Sequence, residues 1–248
     1  MGERFAVVSG GGTGIGAAVA RGLVDDGYDV LVVGRRGDVL RSAAEAIGVE
    51  CGRPGAVTAV TADLTDPGQV AGVVEAVGGR GVDAVVNNAG GYLGGDTGSL
   101  AGTAAHWRAN LDANVLTAVL LTEALRPVLR RPGGRVVLLS SIAAQRGGGG
   151  AYSAAKAALH GWAYDLATQL GKEQITVNVV SPGYVAETEF FGDRMTPEGH
   201  AARVAATLVG RAGQPDDIAA AVRYLVSPAA GYVTGQVLGV NGGSVLGR

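Results

Sequence analysis

Short apolar runs separated by longer stretches of helical periodicity organise this chain. Phe5–Val8 is followed by Gly14–Asp26, Val30–Val33 by Asp38–Ile47, and Ala56–Thr61 by Pro67–Val77. The alternation continues through Val82–Val86, a long helical region from about Thr103 to Leu129, Arg135–Leu139, a helix after Tyr152, and Thr176–Val180. Gln236–Val240 reads as a last strand. The strands are continuous valine-rich runs, the pattern of strands covered by helices on both faces. Repeated strand–helix units predict a single α/β domain over residues 1–248, built on a doubly wound, seven-stranded parallel sheet. No linker, composition break or internal repeat divides it. The alternation fails between Ser181 and Gly210, where Pro182–Gly183 breaks the chain and Thr188–Leu208 reads as two short helices carrying Phe190, Phe191, Met195 and Val204. This excursion, about residues 184–210, follows the C-terminal end of a strand and reads as a lid over a substrate.

Composition narrows the function classes. With 47% hydrophobic and 17% charged residues among 248, the chain can bury a large core and is no disordered polyelectrolyte. A net charge of −2 gives no electrostatic case for nucleic acid or an anionic membrane. No run reaches the roughly 18 apolar residues of a membrane span. Cys51 is the only cysteine, which excludes an internal disulfide and a cysteine zinc site. His106, His160 and His200 have no metal-binding spacing, so no metal is expected. Glu3 precedes the first strand without the basic start and apolar segment of a signal peptide, and a cytoplasmic location is the expectation.

Three clusters carry chemistry. After the first strand comes Ser9–Gly10–Gly11–Gly12–Thr13–Gly14–Ile15–Gly16, opening into a helix. Such glycines let backbone N–H groups and the positive helix end approach a pyrophosphate, so a dinucleotide is expected. At the end of the second strand, where an acid would take the ribose 2′-OH of NAD, stand Gly34, Arg35 and Arg36. Two guanidiniums and no carboxylate favour a 2′-phosphate, hence NADP(H) over NAD(H). In the third cluster Tyr152 and Lys156, four apart on a helix, share a face. A neighbouring ammonium lowers a phenol pKa from its usual value near ~10, which suits acid–base work.

Taken together with Asp63, Asn87–Asn88–Ala89–Gly90, Asn114, Ser141 and Pro182–Gly183, in this order and spacing, these motifs resemble the short-chain dehydrogenase/reductase family over nearly the whole chain. The resemblance implies a Rossmann fold and a catalytic set of Asn114, Ser141, Tyr152 and Lys156. Tyr152 would pass the proton, Lys156 would depress its pKa and hold the nicotinamide ribose, Ser141 would hold the carbonyl oxygen, and Asn114 would position Lys156 through water. It implies that the cofactor lies along Gly10, Gly12, Thr13, Gly14, Ile15 and Gly16, with Asp63 on adenine and Leu64, Asn88, Ala89 and Gly90 beside the adenosine. Pro182, Gly183, Val185 and Thr188 would approach the nicotinamide. Two departures stand out: a short Ser141-to-Tyr152 interval, and a threonine one residue later than usual at Thr188. Asp63 also reads as a turn or cap residue, and Ser140 is the other candidate hydroxyl.

The function so implied is hydride exchange between a small-molecule carbonyl and an alcohol, with a 3-oxoacyl or polyketide-type ketone as first substrate. A non-catalytic NAD(P)-binding sensor or scaffold, and an epimerase or dehydratase, are the alternatives. Tyr92, Leu93, Ala144, Tyr184, Phe190 and Phe191 are expected to border the pocket. The resemblance also implies a homotetramer, with Ala154, Ala155, Ala157, Ala158 and Ala163 allowing two helices to approach.

Overall fold

The computed structural model describes residues 4–95, 97–190, 192 and 195–247. Phe191 lies outside the described residues. Strands β1 (Arg4–Ser9), β2 (Tyr28–Gly34), β3 (Val57–Thr61), β4 (Ala84–Asn87), β5 (Arg135–Leu139), β6 (Thr176–Pro182) and β7 (Val237–Val240) form one sheet in the order 3-2-1-4-5-6-7. Every pairing is parallel. The connecting helices are α1 (Gly14–Asp25), α2 (Gly37–Glu50), α3 (Pro67–Val77), α4 (Leu100–Leu111), α5 (Thr117–Leu125), α6 (Ala143–Arg146), α7 (Ala151–Leu170), α8 (Pro197–Ala205) and α9 (Pro215–Val226).

Successive strand residues feed opposite faces. Ala6, Val8, Val30 and Val32 enter one core, beneath α1, α2 and α9, while Phe5, Val7, Leu31 and Val33 enter the other, beneath α3, α5 and α7. That division explains why the strands carry no polar alternation. β1 lies between β2 and β4, so the strand order reverses there and opens a crevice at the C-terminal ends of β1 and β4. Asp66 accepts hydrogen bonds from the N–H groups of Gly68 and Gln69 and starts α3, with Pro67 in the first turn.

The region expected as one helix from Thr103 to Leu129 is interrupted. Between α4 and α5 the chain makes a π-helical turn, Asp112–Leu116, with buried Asn114 inside it. In the segment after β6, α8 answers to the second of the two expected helices; the first falls partly on residues 191, 193 and 194, outside the described residues, with Gly192 in a 3-10 turn. The alanines of α7 divide between two surroundings: Ala155 and Ala163 are buried in the chain's own core, whereas Ala154 and Ala158 are exposed. Ala157 is half-buried, so Ala154, Ala158 and in part Ala157 face outward. No helix of the described residues is long and apolar enough to cross a membrane.

Candidate active site

The crevice between β1 and β4 is closed by one serine and one asparagine. Ser9 Oγ accepts from the N–H groups of Asn88 and Ala89 at 3.0 and 2.9 Å, and Asn88 Nδ2 donates to the carbonyls of Ser9 and Gly10, both at 3.1 Å. The helix start is packed so tightly that a Cβ on Gly16 would lie 2.1 Å from the Gly10 carbonyl oxygen. Gly12 lies against Val39 and Leu40, and Ile15 packs on the core. Thr13 occupies the N-cap position of α1 without a side-chain cap bond. The positive end of α1 is therefore offered to an anion. These residues fit a pyrophosphate lying across the glycine turn.

Around this cradle the other expected cofactor residues have definite partners. Asp63 Oδ1 accepts from the N–H and hydroxyl of Thr65, which hold its carboxyl below the usual range with Arg35 contributing through its charge. Leu64 is buried. Gly183 donates its N–H to the Val240 carbonyl, the Pro182 carbonyl accepts from Ile142, and Val185 is buried in a parallel bridge with Gly213. Thr188 packs its methyl against Gly14, where an added Cβ would lie 3.4 Å from it. The segment after β6 thus crosses the glycine turn. Arg36, expected to await a phosphate, already forks onto Glu189 of that segment.

At the end of β5 two neighbouring serines face different ways. Ser140 is buried, donates to the Lys156 carbonyl at 2.9 Å and meets His160 Nε2 at 2.8 Å. With its own hydrogen donated to that carbonyl, Ser140 accepts from His160. Ser141 instead hydrogen-bonds the Tyr152 phenol. The buried Lys156 Nζ donates to the Leu139 carbonyl at 2.8 Å and lies 5.9 Å from the Tyr152 ring centroid. Asn114 Oδ1 accepts from Gly91 N–H and its Nδ2 donates to the Gly91 and Asn110 carbonyls, at 2.9, 2.9 and 3.0 Å. A Cβ on Gly90, whose φ is +149°, would fall 2.5 Å from Asn114 Oδ1 and 3.2 Å from Lys156 Nζ. Gly90 therefore joins the cradle to the cluster.

The electrostatics correct one expectation. Burial pushes the Tyr152 phenol up to about 12, opposed by the Ser141 hydrogen bond, and pulls Lys156 down to about 8. The lysine is not among the groups that lower the phenol in the chain alone, where desolvation of the phenol dominates. Tyr92 and Phe190 flank the Tyr152 ring, with centroids at 6.1 and 5.5 Å. Tyr184 reaches into α8, its hydroxyl 2.8 Å from His200 Nδ1.

A family profile described as "Enoyl-(Acyl carrier protein) reductase" matches residues 10–244. The chain is 36% identical to the short-chain reductase protein NovJ of Streptomyces niveus, over 97% of this chain and 94% of that one. It is 32% identical to the 3-oxoacyl-[acyl-carrier-protein] reductase FabG of Escherichia coli, over 98% of both. Among solved structures, a variant of actinorhodin polyketide ketoreductase with NADPH superposes with a TM-score of 0.86, at 31% identity, covering 98% of this chain and 97% of that one. This chain belongs to the short-chain dehydrogenase/reductase family and is an NAD(P)-dependent oxidoreductase of the FabG-like kind.

Proposed function

We propose that the protein interconverts a ketone and a secondary alcohol with NADP(H), Tyr152 serving as the acid–base group. The observation that carries this reading is the convergence of Tyr152, Ser141, Lys156 and Asn114 beside the glycine cradle through Gly90. When bound, NADPH supplies the hydride. Tyr152, protonated at neutral pH, gives its proton to the carbonyl oxygen, while Ser141 donates to the same oxygen and opposes the developing negative charge. Lys156 places positive charge under the phenol, held in position by the Leu139 carbonyl. Asn114 fixes the Gly91 backbone, next to the Gly90 that approaches Lys156.

Arg35 and Arg36 support the choice of NADP(H), and the 3-oxoacyl and polyketide ketoreductase names of similar proteins support a 3-oxoacyl or polyketide-type substrate. The aromatic rings of Tyr92 and Phe190 favour a substrate of low charge. Asp63 and Leu64 would meet the adenosine, and the outward Ala154 and Ala158 suit a helix pairing across subunits of a homotetramer. The test is NADPH oxidation with 3-oxoacyl thioesters and a ketone panel. Turnover that drops roughly 10²–10⁴-fold in Tyr152→Phe, with NADPH affinity and melting temperature kept, is expected. Binding without turnover on any ketone would support a sensor, and product formed without net NADPH loss an epimerase or dehydratase.

A further inference from the structure

Arg36 and Glu189 are 153 residues apart and meet across the glycine turn. The two side chains pair fork to fork, Nη2 to Oε2 at 2.6 Å and Nη1 to Oε1 at 3.3 Å. The Thr13 hydroxyl lies 3.5 Å from both Glu189 Oε2 and Arg36 Nη2, so one carboxylate oxygen sits between the guanidinium and the N-cap of α1. That is the chemistry an oxyanion of phosphate would use: a planar guanidinium, a hydroxyl and an uncapped helix start. Glu189 is carried there by a short path from β6, on which Glu187 adopts φ +57° and Thr188 packs against Gly14.

We infer that Glu189 is a built-in competitor for the cofactor's 2′-phosphate, a specificity residue that holds the Arg36 anion site in the cofactor-free protein and yields it when the phosphate arrives. The inference rests on the NADP(H) reading above. Both side chains are well exposed, 58% for Arg36 and 61% for Glu189, so the pair is weak enough to exchange. A cofactor without a 2′-phosphate leaves the pair intact. A cofactor with one must displace a carboxylate, which tempers the preference for NADP(H) and frees the segment from Val185 to Phe190 from the glycine turn.

The test is calorimetric binding of NADP⁺ and NAD⁺ at low salt to the parent protein, Glu189→Gln, Arg36→Ala and the double variant. Glu189→Gln should tighten NADP⁺ about threefold and leave NAD⁺ unchanged. In the Arg36→Ala background the same change should have no effect on NADP⁺, since the two side chains act on one phosphate. The gain should shrink at about 0.5 M salt. Equal tightening of both nucleotides, no tightening, or a gain that survives Arg36→Ala would overturn the inference while the dinucleotide site stands. Failure of the parent to bind either nucleotide would overturn both readings together.

Discussion

The two ends of the cleft use glycine in opposite ways. At the cofactor end glycine is demanded by contact: beyond the hydrogen of Gly16 lies the Gly10 carbonyl oxygen, 2.1 Å from any Cβ. At the substrate end, in the bend Gly147–Gly150 between Ser141 and Tyr152, added Cβ atoms on Gly147, Gly148 and Gly150 would meet nothing within 4 Å. At those three positions the backbone conformation calls for glycine, with φ +91° at Gly148, and only Gly149 is crowded, where a Cβ would lie 2.9 Å from Ser153 Oγ. A closed, hydrogen-bonded cradle beside an open, sparsely contacted mouth is the division of labour expected when the cofactor is constant and the substrate is selected.

The comparison can be sharpened first where the mouth meets the core. Ser141→Ala should lower kcat by about 10²–10³-fold without loss of stability, whereas Ser140→Ala should leave catalysis nearly intact and lower stability by about 1–3 kcal/mol. Kinetics and urea melts of both variants check this, and a reversed pattern would move the catalytic hydroxyl to Ser140. Next, Gly16→Ala should strain the cradle by about 1–3 kcal/mol, weakening dinucleotide binding roughly 5- to 150-fold, as read by titration of NADPH fluorescence.

A third prediction concerns the charge buried between the two ends. The folded-state pKa of Lys156 is about 8, below the 10.5 of an unburied lysine, so the folded chain binds fewer protons between those values. Its stability should therefore rise with pH through that window, and the cost of the buried charge is full below about 8. Lys156→Met removes that cost, on the order of 3 kcal/mol, while abolishing turnover. The stability gap between variant and parent should narrow from pH 8 to pH 10, and a constant gap in pH-dependent melts would show that the lysine carries no such penalty. The smallest effect is expected at the mouth: Gly148→Ala should cost about 1 kcal/mol through its φ and leave NADPH affinity unchanged. A loss of cofactor binding equal to that of Gly16→Ala would abolish the distinction between the ends.

Much of the architecture was legible because parallel strands with both faces covered are apolar along their whole length, and the runs at Val30–Val33 and Arg135–Leu139 stand out. The helix α9 went unread, although Pro215 with Asp216 and Asp217 is an ordinary helix start and a capping box links Gln214 to Asp217. The π-helical turn at Asn114 has no sequence signal of its own, since it depends on what the helix packs against. The clamp of Ser9 on Asn88 and Ala89 could have been suspected from polar residues at the ends of two buried strands, but their pairing follows from strand order.

The amino-acid order by itself determined the alternation of strands and helices, the glycine turn and the four-residue spacing of Tyr152 and Lys156, all of which depend on local periodicity and backbone freedom. Tertiary structure alone decided which of Ser140 and Ser141 faces the phenol, how far burial shifts Tyr152 and Lys156, and that Glu189 would reach Arg36. These outcomes depend on distances between segments far apart in the chain and on exclusion of water, neither of which any local pattern encodes.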